Sequence, residues 1–101
     1  MVKKPLPIRW DSFAFLQLQS IVDFIRLESP SGATKVSTKI LSAIKLIKQN
    51  PIMHPPDKLR LDKNKNYRAF EIYHYRITYY IAKDHIRIIR LRHTSREPLI
   101  H

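Results

Sequence analysis

Tyr67-Arg68-Ala69-Phe70-Glu71-Ile72-Tyr73, Tyr75-Arg76-Ile77-Thr78-Tyr79-Tyr80-Ile81-Ala82 and His85-Ile86-Arg87-Ile88-Ile89-Arg90-Leu91-Arg92 are three consecutive runs rich in β-branched and aromatic residues. Such runs, each of strand length, predict three neighbouring strands. Side chains alternate across a strand, so Tyr75, Ile77, Tyr79 and Ile81 share one face and Arg76, Thr78, Tyr80 and Ala82 the other. The first set suits a buried side. Arg76 then points to an uncovered face, with Tyr80 nearby. Arg68, Phe70 and Ile72 alternate in the same way with Tyr67, Ala69 and Glu71. The last run is ambiguous, because Ile86 and Ile88 oppose Ile89 and Leu91, so either face could be buried. Lys83 and Asp84 fit a tight turn, without the glycine that primed hairpin turns favour.

Working outward from the sheet, Leu6 to Trp10 is a short apolar segment and a candidate first strand. Asp11 is placed to N-cap a helix running to about Glu28, its carboxylate accepting from free amides of the first turn. Ala14, Leu18, Ile21, Val22 and Ile25 fall at helical spacing. Phe13, Leu16, Phe24 and Leu27 widen that stripe and predict packing on both sheet and neighbour. Ser29-Pro30-Ser31-Gly32 breaks the helix and opens a second one. Here Val36, Ile40, Ala43, Ile44 and Ile47 form the apolar side, and Lys35, Lys39, Lys45 and Lys48 the wetter sides. Asn50 and Pro51 end it. Residues 52–66 carry Pro55, Pro56, Lys58, Arg60, Asp62, Lys63 and Lys65, and read as a solvated loop or as a basic rim beside a binding groove. The pattern predicts one α+β domain over residues 1–101, with an N-terminal strand and an α-helical hairpin packed on one face of a small antiparallel sheet.

Composition narrows the function. Nineteen Lys and Arg against eight Asp and Glu give a formal charge of +11 on 101 residues, which favours a polyanionic partner. With 44% hydrophobic residues a packed core is expected. Cysteine is absent, so disulfides and thiolate metal sites are excluded. No window approaches the roughly 18 apolar residues of a spanning helix, and the N-terminal residues lack a secretory apolar stretch. A cytoplasmic protein with no membrane partner is expected.

The candidate chemistry lies on the arginines and one histidine. Arg76 stands mid-strand among apolar neighbours, either bridging to Glu71 across the hairpin or gripping an anion. His93 ends the last strand, as a packed side chain or a general acid–base. Arg96 follows closely, paired with Glu97 on the surface or sharing a site with His93. Arg68, Lys58, Arg60 and Arg90 are candidate nucleic-acid contacts, and Tyr80 could stack on a base. The five histidines are scattered, no glycine-rich phosphate loop is present, and no nucleophile triad is supported. No metal or cofactor is expected, and any catalysis would run on Arg, His, Tyr or Lys.

Trp10 with Asp11, a helical hairpin broken at Ser29 and Pro30, Lys58-Leu59-Arg60, Tyr67-Arg68, Tyr75-Arg76-Ile77-Thr78-Tyr79 and the ending His93-Thr94-Ser95-Arg96-Glu97-Pro98 together resemble the RelE/ParE toxins of bacterial type II toxin–antitoxin systems. The resemblance spans Leu6 to Pro98. It implies a basic toxin neutralised by an acidic antitoxin that wraps across it. RelE-like members cleave mRNA in the ribosome, whereas ParE-like members poison DNA gyrase. On the first reading Arg76 matches a RelE-type arginine and Arg68 the first of two basic positions, the second being Phe70 here. Arg76 and Arg96 would then stabilise phosphate, with His93 as acid or base. The His93-x-x-Arg96 ending instead resembles one shared by ParE-like and several RNase-type members, and the long hairpin resembles the ParE branch, for which the protein is no enzyme. A plain nucleic-acid-binding module is the third possibility.

Overall fold

The computed structural model describes residues 4–62 and 64–94. Along the chain come β1 (Ile8–Trp10), α1 (Ser12–Glu28), α2 (Pro30–Gln49), a 3-10 turn (Pro51–Met53), β2 (Tyr67–Ile72), β3 (Tyr75–Ile81) and β4 (Ile86–His93). The strands form one sheet in the order β1-β4-β3-β2. The last three pair antiparallel, as the alternation predicts, but β1 runs parallel to β4, so the sheet is mixed. Connectivity explains this. After β1 the helices cross one face and deliver the chain to the far edge, and two hairpin turns then return β4 beside β1 in the same direction.

The core lies between the helices and that face. Ala14 and Leu18 of α1 and Ile40, Ile44 and Ile47 of α2 pack with Phe70, Ile77, Tyr79, Ile86, Ile88 and Leu91 of the sheet. Only one side of α1 is used. Phe13, Leu16, Phe24 and Leu27, expected to widen the packing face, are 61%, 60%, 60% and 84% exposed. At about 100° per residue they form a second apolar stripe on the other side of the helix, outside the core.

Local chemistry sets the helix ends. Ser29 caps α2, its hydroxyl accepting the Gly32 amide at 3.0 Å, with Pro30 at the first helical position. A Cβ on Gly32 would lie 2.8 Å from that hydroxyl, so a larger residue there would make the Ser29 side chain shift. Asp11 occupies the N-cap of α1 but its side chain makes no capping bond. It turns instead toward Arg87, 3.6 Å away.

Strand β4 resolves its own ambiguity with a β-bulge. Tyr79 pairs with Ile88 and Thr78 with Arg90, which leaves Ile89 unpaired. The extra residue lets Ile86, Ile88 and Leu91 all face the core. Beside it, Gln17 of α1 accepts the Leu91 amide at 2.9 Å. Deleting Ile89 leaves the strictly alternating Ile86-Arg87-Ile88-Arg90-Leu91-Arg92. The deletion variant is expected to fold, with urea-unfolding stability within about 1 kcal/mol of the parent, the size of an ordinary point change. Loss of folded protein would show that the bulge itself is required.

The β2–β3 turn contains Tyr73 at φ 55°, a left-handed conformation costly for a bulky side chain. Its ring is half exposed, so little burial is lost on truncation. Tyr73→Gly is expected to stabilise the fold by about 1 kcal/mol, raising the melting temperature by roughly 4–8 °C in a calorimetric scan.

Candidate functional site

Cross-strand partners share a face, so the register sorts the sheet's side chains. On the face away from the helices three rows run across the strands. Glu71, Arg76 and Arg92 form the first; Ala69, Thr78 and Arg90 the second; Tyr67, Tyr80, Arg87 and Arg9 the third. Arg76 and Tyr80 thus lie on the side away from the helices, as alternation predicts, joined by Arg9, Arg87, Arg90 and Arg92 from the strands and by Arg60 from the loop.

The first row is not open to a ligand. The segment after the 3-10 turn folds along β2, where Pro56 bridges to Arg68 and the Asp57 amide donates to the Tyr67 carbonyl at 2.7 Å. This brings Asp57 over the sheet, and Arg76 donates to its Oδ1 at 2.5 Å. The Leu59 amide donates to the same oxygen at 3.0 Å. The Arg76–Glu71 bridge across the hairpin is present but longer, at 3.4 Å. The paired side chains are 9% and 0% exposed for Arg76 and Asp57. A buried charge persists only with a partner, and Asp57 is that partner. Arg90 lies in the same neighbourhood. Its pKa is lowered first by burial and then by Arg92 and Arg60, with Asp57 opposing.

The third row opens onto a groove of about 390 Å³ lined by Asp11, Arg60, Tyr67, Tyr80, Ala82, His85, Arg87 and Ile89. The Tyr67 and Tyr80 rings are 4.6 Å apart and tilted by 53°. The Arg60 guanidinium lies 3.4 Å from the centre of the Tyr67 ring, a cation–π contact. Arg60 also forks onto Asp62 at 3.1 and 2.8 Å. Those bonds and the Asn64 amide hold the Asp62 carboxyl at about 2, below the ordinary 3.8. Lys58 is exposed on the loop. His85 is buried, with Nδ1 2.8 Å from Asp84 and no protein partner for Nε2 among the described residues.

Arg68 and His93 face the other way. Arg68 pairs with Tyr79, on the helix side, and donates to the carbonyls of His54 at 2.7 Å and Ile52 at 3.5 Å. It fastens the loop leaving α2. His93 pairs with Tyr75 on the same side and rests edge-on to that ring at 5.2 Å, with His74 stacked at 5.8 Å. Arg96 lies outside the described residues. Arg76 and Arg90 are therefore brought together, and Arg60 with Tyr80, but Arg68 and His93 are on the opposite face from both groups.

Asp57 is not singled out by the sequence, since an acid inside a basic loop gives no hint of burial. The preceding Pro55-Pro56 pair, which stiffens the approach, is the available signal. Arg9, Arg87 and Tyr67 gain their importance only from cross-strand register.

A family model described as the ParE toxin of the type II toxin-antitoxin system, parDE, matches residues 8–98. The chain belongs to the ParE toxin family. Among solved structures, the ParE-family fold seen here is similar to a chain titled as the chromosomal ParDE TA system from P. aeruginosa. The TM-score is 0.70 at 18% identity, covering 90% of this chain and 98% of that one. At that identity the likeness speaks for the fold. Among curated protein sequences, none matches significantly. No described helix of this ParE-family chain is long and apolar enough to cross a membrane.

Proposed function

We propose that the protein is a growth-inhibiting toxin that acts by binding, with DNA gyrase as its target, and that a cognate antitoxin neutralises it. Family membership supports the toxin role. The observation that favours binding over RNA cleavage is the separation of Arg76 from His93. Metal-free ribonuclease chemistry needs a charge stabiliser and an acid–base group within reach of one phosphodiester. Here Arg76 is engaged by Asp57 and His93 is on the opposite face of the sheet. The antitoxin is expected to be acidic, matching the +11 charge, and to lay an amphipathic segment on the exposed stripe of Phe13, Leu16 and Leu27.

Inducible expression in a sensitive bacterial host tests the target. Double-strand DNA breaks with an SOS response and intact mRNA are the expected result, and a gyrase mutation that confers resistance would tie the breaks to that enzyme. Codon-spaced mRNA breaks that require ribosomes would replace this reading with the ribonuclease one. Normal growth with soluble toxin present would reject both.

A further inference from the structure

The third row of the open sheet face brings guanidinium groups and aromatic rings side by side across the four strands. Arg9, Arg87, Tyr80 and Tyr67 come from all four strands and lie side by side, with Arg60 closing the end over Tyr67. Cations therefore flank an aromatic pair at both ends. Arg9 and Arg87 are direct cross-strand neighbours of like charge, with Asp84 acting on Arg9 and Asp11 on Arg87, so an anion placed between them would meet two guanidinium groups at once. Arg87 is 49% exposed in its side chain and meets Asp11 only in an ion pair at 3.6 Å, longer than a hydrogen bond, so its guanidinium reaches solvent. Beside them the groove of about 390 Å³ falls within the size range of small-ligand sites.

We propose that this row binds one nucleotide unit of a single-stranded nucleic acid, with the base against Tyr80 and its phosphate between Arg87 and Arg9. Stacking on tyrosine tolerates any base, and guanidinium groups track the backbone, which is the general chemistry of single-strand binding. The site is distinct from the Arg76–Asp57 cluster and extends the proposed function. A toxin acting on a protein–DNA complex would touch exposed DNA through this row. Its affinity is measurable without gyrase, so failure here and failure of the target assignment are separable.

Fluorescence anisotropy of the full-length chain with labelled oligodeoxythymidine and oligouridine is the test. Tyr80→Phe keeps the ring and is expected to bind like the parent, whereas Tyr80→Leu keeps the bulk without the ring and weakens binding about 10-fold. Arg87→Ala is expected to weaken binding and to reduce the slope of log affinity against log salt by about 0.7, one phosphate contact on a single strand. Lys39→Ala, which removes an equal charge from α2, should change little. Thermal melts confirm that each variant is folded. Preference for either oligomer assigns the strand as DNA or RNA and supports the row equally. No binding at low salt, equal losses from Lys39→Ala and Arg87→Ala, or full affinity in Tyr80→Leu would overturn the proposal. So would poly-glutamate competing as well as the oligonucleotides, which would assign the row to an acidic protein segment.

Discussion

Asp57→Ala is expected to destabilise the protein by about 3–5 kcal/mol, because it leaves the Arg76 guanidinium buried without its main counter-ion. A domain of this size has a total stability of about 5–15 kcal/mol, so much of the population would unfold at growth temperature. Glu71 cannot take over, since its carboxylate is half exposed and 3.4 Å away. Pairing the change with Arg76→Met removes both charges, and the double variant is expected to recover most of the loss in urea unfolding. The same cycle decides what Arg76 does. If it is a strut, the folded double variant keeps its growth-inhibiting effect. If it stabilises a phosphate during cleavage, the double variant folds yet loses about 10²-fold or more of its rate. Recovery of stability without recovery of toxicity would return Arg76 to the functional residues.

Tyr79→Ala is expected to cost about 3–5 kcal/mol, as truncations of large buried rings do. Tyr79 is wholly buried, packs edge-on to Phe70 and His54, and donates its hydroxyl to the Pro51 carbonyl at 2.6 Å. Burial pushes its hydroxyl up to about 12, so it remains a donor across the physiological range. Tyr79→Phe retains the ring but strands the Pro51 carbonyl, and should cost a smaller 1–3 kcal/mol or thereabouts, roughly the penalty of one unmade buried bond. Chemical denaturation of the two variants separates the ring from the hydroxyl. The hydroxyl matters beyond its energy. With Arg68 on the His54 carbonyl, it fixes the loop that carries Asp57 onto the sheet. Equal stability of Tyr79→Phe and the parent would show that this loop is held in place without it.

Periodicity in the chain specified the helical hairpin, the three late strands and the faces of β3, because 3.6- and 2-residue repeats are local properties of covalent geometry. Composition set the basic character, and the motifs from Tyr67 to Pro98 carried the family likeness. The burial of β4 required the bulge at Ile89, which periodicity alone leaves undecided. The parallel placement of β1 required knowing which edge the helices cross to.

The site was less legible, for the same reason. Arg68, Arg76 and His93 look alike along the chain, as polar groups on strands, yet strand registers a single residue apart put them on opposite faces. Asp57 looks solvated until a proline-stiffened loop buries it against a charge nineteen residues away. Sequence alone determined what each strand could present and how much positive charge the molecule carries. Only the tertiary structure decided which charges are neutralised internally and which meet solvent, because pairing energies depend on distances that chain order does not set.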